Sequence, residues 1–156
     1  MLDGTRRSGG AAADLTTEQL FADGVPMQLP EGFFAKYGDV PIGESERRRF
    51  SRRYWRVPTR ARLLGLPPLF PRESELVAAY LSDFSRSGVA FFCDRQLFPG
   101  ERVELELPHI GFRTLIVKRG RRVTRDCFEI GCEFGRCAEV ETDRGDKSRN
   151  RPWPCV

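Results

Sequence analysis

Between residues 57 and 134 the sequence consists of short segments in which hydrophobic and polar residues alternate, and this period of two most constrains the fold. Residues 103–107 alternate strictly, and residues 127–134 do so again. Successive side chains of a β-strand point to opposite faces, so the alternation predicts strands with one buried and one solvated face. Turn signals recur about every 8–12 residues. The pattern therefore predicts an all-β fold, a small antiparallel barrel or sandwich of about six or seven strands.

The predicted strands are separated by proline and glycine signals. Pro67-Pro68 ends the first strand, Pro99-Gly100 marks a turn, and Gly120 is predicted to be the turn of a hairpin. The predicted strands are residues 59–64, 75–81, 89–93, 103–107, 112–117, 121–124 and 127–134. Hydrophobic residues make up 40% of the chain, which is enough for a core and excludes a fully disordered protein.

The chain of 156 residues has room for one domain with tails. Residues 47–140 are predicted to form the barrel domain, and residues 141–156 a polar tail preceded by at most a short helix. Residues 1–46 are an acidic arm rich in Gly and Pro, predicted to be largely flexible. Its one regular candidate runs from Leu15 to Ala22, where Thr16 and Gln19 have the spacing of a capping box. The arm is expected either to fold back onto the barrel through its aromatic residues, Phe33, Phe34 and Tyr37, or to be disordered.

The net charge of +4 conceals an uneven distribution. Residues 47–62 contain 8 Arg and no acidic residue, whereas residues 1–46 contain 3 basic and 8 acidic residues. The planar fork of Arg suits bidentate binding of phosphate or of a guanine edge, so the cluster indicates an anionic ligand. Because the acidic arm lies beside the cluster, it is expected to mask the arginines until ligand binds, and deletion of residues 1–44 is expected to tighten binding.

Several classes of protein are disfavoured. No stretch approaches the roughly 18–20 consecutive apolar residues of a membrane span, and no signal peptide is evident, which predicts a cytoplasmic protein. The five cysteines follow no C-x-x-C spacing, and Cys127, Cys132 and Cys137 would alternate between the faces of a strand, so no metal site is expected. With one histidine, no phosphate loop and no nucleophile elbow, no catalytic site is expected, and no cofactor either.

Two motifs carry the expected chemistry. Arg52-x-x-x-Arg56 leads directly into the first predicted strand, and its two guanidinium groups could close on a phosphate from two sides. Overlapping arginine pairs also exist, and the Val57-Pro58 that follows sets the register. Asp83-x-Ser85-x-x-Gly88 joins two strands and supplies a carboxylate, a hydroxyl and a glycine free to adopt positive φ.

Four stretches, taken in order, match the pattern of a known family. They are Arg52-Arg53-Tyr54-Trp55-Arg56-Val57-Pro58, Asp83-Phe84-Ser85-Arg86-Ser87-Gly88-Val89-Ala90-Phe91, Phe98-Pro99-Gly100-Glu101 before Val103-Glu104-Leu105-Glu106-Leu107-Pro108, and Gly131-Cys132-Glu133-Phe134. Over about residues 47–136 the chain resembles the PilZ family of bacterial receptors for cyclic diguanylate (cyclic di-GMP).

The resemblance implies a six- or seven-stranded barrel that binds cyclic di-GMP on its outside, beneath a mobile arginine loop. It implies that Arg52 and Arg56 bind the phosphates and the Hoogsteen edge of guanine. It also implies that Asp83, Ser85 and Gly88 meet the guanine base. Arg53, adjacent in sequence, is expected either to add a phosphate contact or to face water. Trp55 stands where the family commonly has Pro, and it is expected either to pack on the barrel or to stack on the ligand.

Three functions remain open from the sequence. The first is a non-catalytic receptor for cyclic di-GMP that signals to a downstream protein by ordering its arginine segment. The second is a degenerate PilZ module used for protein contacts alone. The third is a basic barrel that binds nucleic acid, which is disfavoured because residues 63–156 carry 15 basic and 14 acidic side chains.

Overall fold

The computed structural model describes residues 15–43 and 50–135, and almost all of its regular structure is β-strand. The first segment contains helix α1 (Thr17–Leu20), a 3₁₀ turn at Phe33–Ala35 and an isolated β-bridge from Asp39 to Arg53. The strands are β1 (Arg52–Tyr54), β2 (Pro58–Leu66), β3 (Phe70–Ser85), β4 (Gly88–Cys93), β5 (Arg102–Leu107), β6 (Gly111–Thr124) and β7 (Cys127–Phe134). The predicted C-terminal helix or tail and residues 47–49 lie outside the described residues. None of the helices in the described ranges combines the length and apolar character needed to cross a membrane.

Six strands close into an antiparallel barrel in the order β2, β5, β6, β7, β4, β3. The barrel closes because β3 pairs with β2 along one edge and with β4 along the other. β1 stands outside the ring and pairs only with β3 among the strands. The prediction of a small all-β antiparallel barrel is confirmed.

The alternation in the sequence corresponds to the inside and outside of this barrel. On β5 the three apolar residues that alternate with the glutamates are buried in the core: Val103, Leu105 and Leu107. β4 is buried on both sides, since Phe91 lies in the core whereas Phe92 belongs to a second apolar cluster on the outer surface. The interior is filled by side chains, so a ligand-binding site on this barrel has to lie outside it.

The prediction of a hairpin turn at Gly120 is wrong. β6 continues through Gly120 to Thr124, and the chain reverses only at residues 125 and 126. A Cβ at Gly120 would stand 2.5 Å from the carbonyl oxygen of Leu97, so the glycine allows the loop before β5 to approach the strand closely. The same residue type serves either a turn or a close approach, and only the tertiary structure distinguishes the two.

The loop before β5 is held by a buried ion pair. The carboxylate of Glu101 is fully buried and accepts two hydrogen bonds from the guanidinium of Arg72 and one from the backbone N–H of Phe98. Arg72 also donates to the carbonyl of Gln96. These bonds raise the pKa of Arg72, because hydrogen bonding to Glu101 favours the charged guanidinium.

Residues 15–43 cross the outer surface of the barrel. The capping box of Thr16 and Gln19 is present at the start of α1. Further along, Phe33 is buried against the outer cluster, with its ring 5.8 Å from that of Tyr80 and 5.3 Å from that of Phe92. The other two aromatic residues of the arm remain exposed, Phe34 at 63% and Tyr37 at 89%. The arm therefore folds back through Phe33.

Candidate functional site

The pairing of β1 with β3 brings the two motifs together. Arg52 is opposite Ser85, and Tyr54 is opposite Asp83. The backbone N–H of Trp55 donates to the carbonyl of Ser82, which continues the contact beyond the strand. Residues about thirty positions apart in sequence thus become neighbours on the barrel's outer surface.

A β-bulge in β3 places Asp83 on that surface. Leu81 lies in the core opposite Phe91, and the register shifts between Leu81 and Asp83 so that Asp83 is opposite Ala90. In a regular strand without the bulge, Asp83 would share the inward face of Leu81. Asp83 is 7% exposed. Its carboxylate accepts a hydrogen bond from the Ser82 hydroxyl at 3.1 Å and forms an ion pair with the Arg52 guanidinium at 3.3 Å.

Arg56 lies beside this pair between two aromatic rings. Its guanidinium carbon is 4.2 Å from the centroid of the Phe33 ring and 4.7 Å from that of the Tyr54 ring. Its Nε is buried and has no hydrogen-bond partner within the part of the chain that the structure describes. Burial lowers the pKa of Arg56 from its ordinary value, because desolvation disfavours the charged form. A buried cationic donor without an acceptor is costly, and a ligand oxygen would satisfy it.

The structure does not bring Arg53 to the same place. Its side chain is exposed and its Nε lies 3.4 Å from the carboxylate of Asp39 in the N-terminal segment. Trp55 packs against the barrel, with its ring centroid 5.0 Å from that of Phe84. Of the two roles expected for Trp55, packing on the barrel is the one observed.

Ser85 and Gly88 shape the turn between β3 and β4. The Ser85 hydroxyl accepts from the backbone N–H of Ser87 and lies 3.4 Å from the carbonyl of Gly88. Gly88 does not adopt the positive φ expected from the sequence. Instead, a Cβ at this position would stand 2.0 Å from the carbonyl oxygen of Cys132, so the glycine permits close contact between β4 and β7.

The remaining arginines of the basic cluster that the structure describes have other partners. Arg60 binds Glu106 and Arg62 binds Glu104, across the β2–β5 pair. The sequence did not indicate that Phe33 would contact Arg56. Its aromatic character and the expected folding back of the arm were the only signals, and neither specified a position on the barrel.

No group of metal-binding side chains occurs among residues 15–43 and 50–135. Cys132 faces the core and Cys127 belongs to the outer cluster, which confirms that the two thiols lie on opposite faces of β7, whereas Cys137 and Cys155 lie outside the described residues. Burial raises the pKa of Cys132 and of Cys93 to about 12.

Comparison with protein families gives one match to this chain. The sequence profile of the PilZ domain matches residues 46–144, which is more than half of the chain and spans the barrel together with both motifs. Comparison with curated proteins gives no match.

Proposed function

The chain belongs to the PilZ domain family, which is known for binding cyclic di-GMP, and we propose that it is a non-catalytic receptor for this second messenger. The convergence of Arg52, Arg56 and Asp83 on one patch of the outer surface carries the proposal. Two guanidinium groups and a carboxylate complement a ligand that combines phosphates with guanine rings. The Nε of Arg56, which is buried and has no hydrogen-bond partner among the described residues, supports the need for an acceptor at this place.

Each motif residue has a role in this proposal. Arg52 and Arg56 bind the phosphates and the O6 and N7 acceptors of guanine, at about 1–3 kcal/mol of discrimination per bidentate contact. Asp83 accepts from the N–H groups of a guanine base, and Ser85 and Gly88 form the turn against which the base lies. Arg53 adds a phosphate contact by exchanging the Asp39 carboxylate for the ligand. No cofactor is required.

The arginine segment transmits the signal through its connections. One edge of β1 pairs with β3, and on its other edge Val40 and Gly38 bond to Arg52 and Tyr54. Ligand binding at Arg52 and Arg56 therefore acts on the N-terminal segment as well as on the barrel. We propose that the rearranged segment is read by a downstream protein in the cytoplasm.

Calorimetric titration of the full chain tests the proposal. Cyclic di-GMP should bind saturably where GMP does not, and Arg56→Ala and Asp83→Ala should each abolish binding. Arg113→Ala is the matched control, because this exposed arginine of β6 is on the β5 side of the barrel, opposite Leu105.

Two other results would overturn the proposal. The absence of heat at high micromolar cyclic di-GMP would favour a PilZ module used only for protein contacts. Binding of single-stranded DNA with steep salt dependence and no effect of Asp83→Ala would favour a nucleic-acid-binding barrel.

A further inference from the structure

A continuous row of paired residues crosses the outer surface from the candidate site to β6. Asp83 is opposite Ala90, Ala90 is opposite Gly131, and Gly131 is opposite Arg119. Directly paired residues of antiparallel strands project to the same face, so all four share the outer surface. Neighbouring strands are about 4.8 Å apart, which places Asp83 and Arg119 at the two ends of a row of about 14 Å.

The middle of this row is flat. The side chains of Ala90 and Gly131 together amount to one methyl group, and both residues are covered in this structure. A planar ring held by Asp83 in place of this cover would lie over Ala90, since no larger side chain of the row stands between the carboxylate and Gly131. The end of the row opposite Asp83 is then the place from which a second side chain can reach the ring.

Arg119 extends over this flat region. Its Cγ, Cδ and Nε lie 3.0, 3.4 and 2.8 Å from the position that a Cβ at Gly131 would occupy. The stem of the arginine therefore lies across Gly131 of β7, the strand that separates β6 from β4. A larger residue at position 131 would displace the stem.

Two other cations of the same strand, Lys118 and Arg121, are already paired with glutamates. Lys118 binds Glu133 at 2.8 Å, and Arg121 binds Glu129 at 2.5 Å. Within residues 15–43 and 50–135, by contrast, Arg119 has no ion pair or hydrogen bond through its side chain. Among the described residues, its guanidinium therefore has no partner that an acceptor on a ligand would have to displace.

We propose that Arg119 is a further ligand-binding arginine, which binds the N7 and O6 acceptors of the guanine whose opposite edge is held by Asp83. The inference rests on the proposed binding of cyclic di-GMP and adds a determinant of base specificity. Adenine presents an N–H donor in place of O6, and a guanidinium cannot accept from it. Arg119 would therefore select cyclic di-GMP over cyclic di-AMP.

The test compares Arg119→Ala with Arg121→Ala by calorimetry. Both residues are exposed arginines on the outer face of β6, so the two variants change the net charge equally. Arg119→Ala should weaken binding of cyclic di-GMP about ten- to hundredfold and reduce selectivity against cyclic di-AMP. Arg121→Ala should leave both unchanged, and Arg119→Lys should restore the charge without restoring the selectivity, because Lys lacks the fork.

A second variant tests the geometry without removing the arginine. Gly131→Ala places a methyl group where the Arg119 stem lies, and it should weaken ligand binding. Thermal unfolding and circular dichroism should show that the barrel of this variant is intact. Equal affinity of Arg119→Ala and the wild type would overturn the inference and leave the proposed function standing. Equal losses in Arg119→Ala and Arg121→Ala would overturn it as a general charge effect. Absence of binding to the wild type would overturn both proposals.

Discussion

Removal of the Phe33 ring is predicted to tighten ligand binding. The ring covers the guanidinium of Arg56 at 4.2 Å and is 3% exposed, so in the proposed complex Arg56 has to leave this ring to reach the phosphates and the guanine. Phe33 and the ligand therefore compete for Arg56. Phe33→Ala removes the competitor and leaves the arginine and the barrel in place.

The size of the effect follows from the contact that the ligand has to break. A cation–π contact contributes about 0.5–1 kcal/mol when exposed and about 2 kcal/mol when desolvated. Arg56 is partly buried, so about 1–2 kcal/mol is released, which corresponds to binding about five- to thirtyfold tighter. The exposed ion pair between Arg53 and Asp39 contributes less, at most about 1 kcal/mol. The aromatic contact rather than the acidic charge of the arm is thus expected to dominate the masking of the arginines.

Two measurements on the same variant test the reasoning. Hydrogen exchange should accelerate in residues 15–43 and stay unchanged in the barrel strands, which establishes that the segment has loosened. Calorimetry should then give the tighter dissociation constant. Phe34→Ala is the matched control, because its exposed ring contacts the rings of Phe33 and Tyr80 rather than Arg56. Unchanged or weaker binding in a Phe33→Ala protein whose segment has loosened would refute the competition.

Three further predictions concern the barrel itself. Gly88→Ala places a Cβ 2.0 Å from the carbonyl oxygen of Cys132 and pushes β4 away from β7. The free energy of unfolding, measured by urea denaturation, should therefore fall by at least about 2 kcal/mol. An unchanged denaturation midpoint would contradict the close approach of the two strands. Glu101→Ala leaves the Arg72 guanidinium without its carboxylate and should cost about 3 kcal/mol in the same assay, against no loss if the pair were only a surface contact. Burial raises the pKa of Cys93 and of Cys132 to about 12, so at pH 8 only about one thiol in ten thousand is ionised; both should resist iodoacetamide until the protein unfolds, as read by peptide mass spectrometry, and rapid labelling of the folded protein would contradict the burial.

The strands were predictable from the sequence wherever hydrophobic residues point into the barrel core and the polar residues between them point out of it. β5 and β7 match their predicted ranges to within one residue because one face of each is core and the other is not. Gly120 was not predictable, because the reason for the glycine is the carbonyl of Leu97, which is distant in sequence and adjacent only in the folded barrel. Local patterns specify local geometry, whereas close approaches depend on the whole fold.

The candidate site divides in the same way. Spacing and order identified Arg52, Arg56 and Asp83 as residues that belong together, and the β1–β3 pairing brings them together. The sequence did not indicate that Phe33 would cover Arg56 or that Arg119 would lie over Gly131. Both are contacts between different segments of the chain, and the alternation of hydrophobic and polar residues does not specify which side chains of two segments meet.

The bulge at Ser82 explains how one strand serves both the core and the site. Up to Tyr80, β3 pairs with β2 as a wall of the barrel, and beyond the bulge it pairs over residues 83–85 with the short strand β1. The barrel closes without β1, so the three-residue β1 ladder can open or shift while the six-stranded ring stays intact. Segments with few backbone hydrogen bonds and little buried apolar area are the first to open in a folded protein. Arg52 and Arg53 therefore stand on the part of the described sheet whose movement costs least, and Arg56 follows it closely. This placement suits the proposed receptor, in which ligand binding has to change the surface.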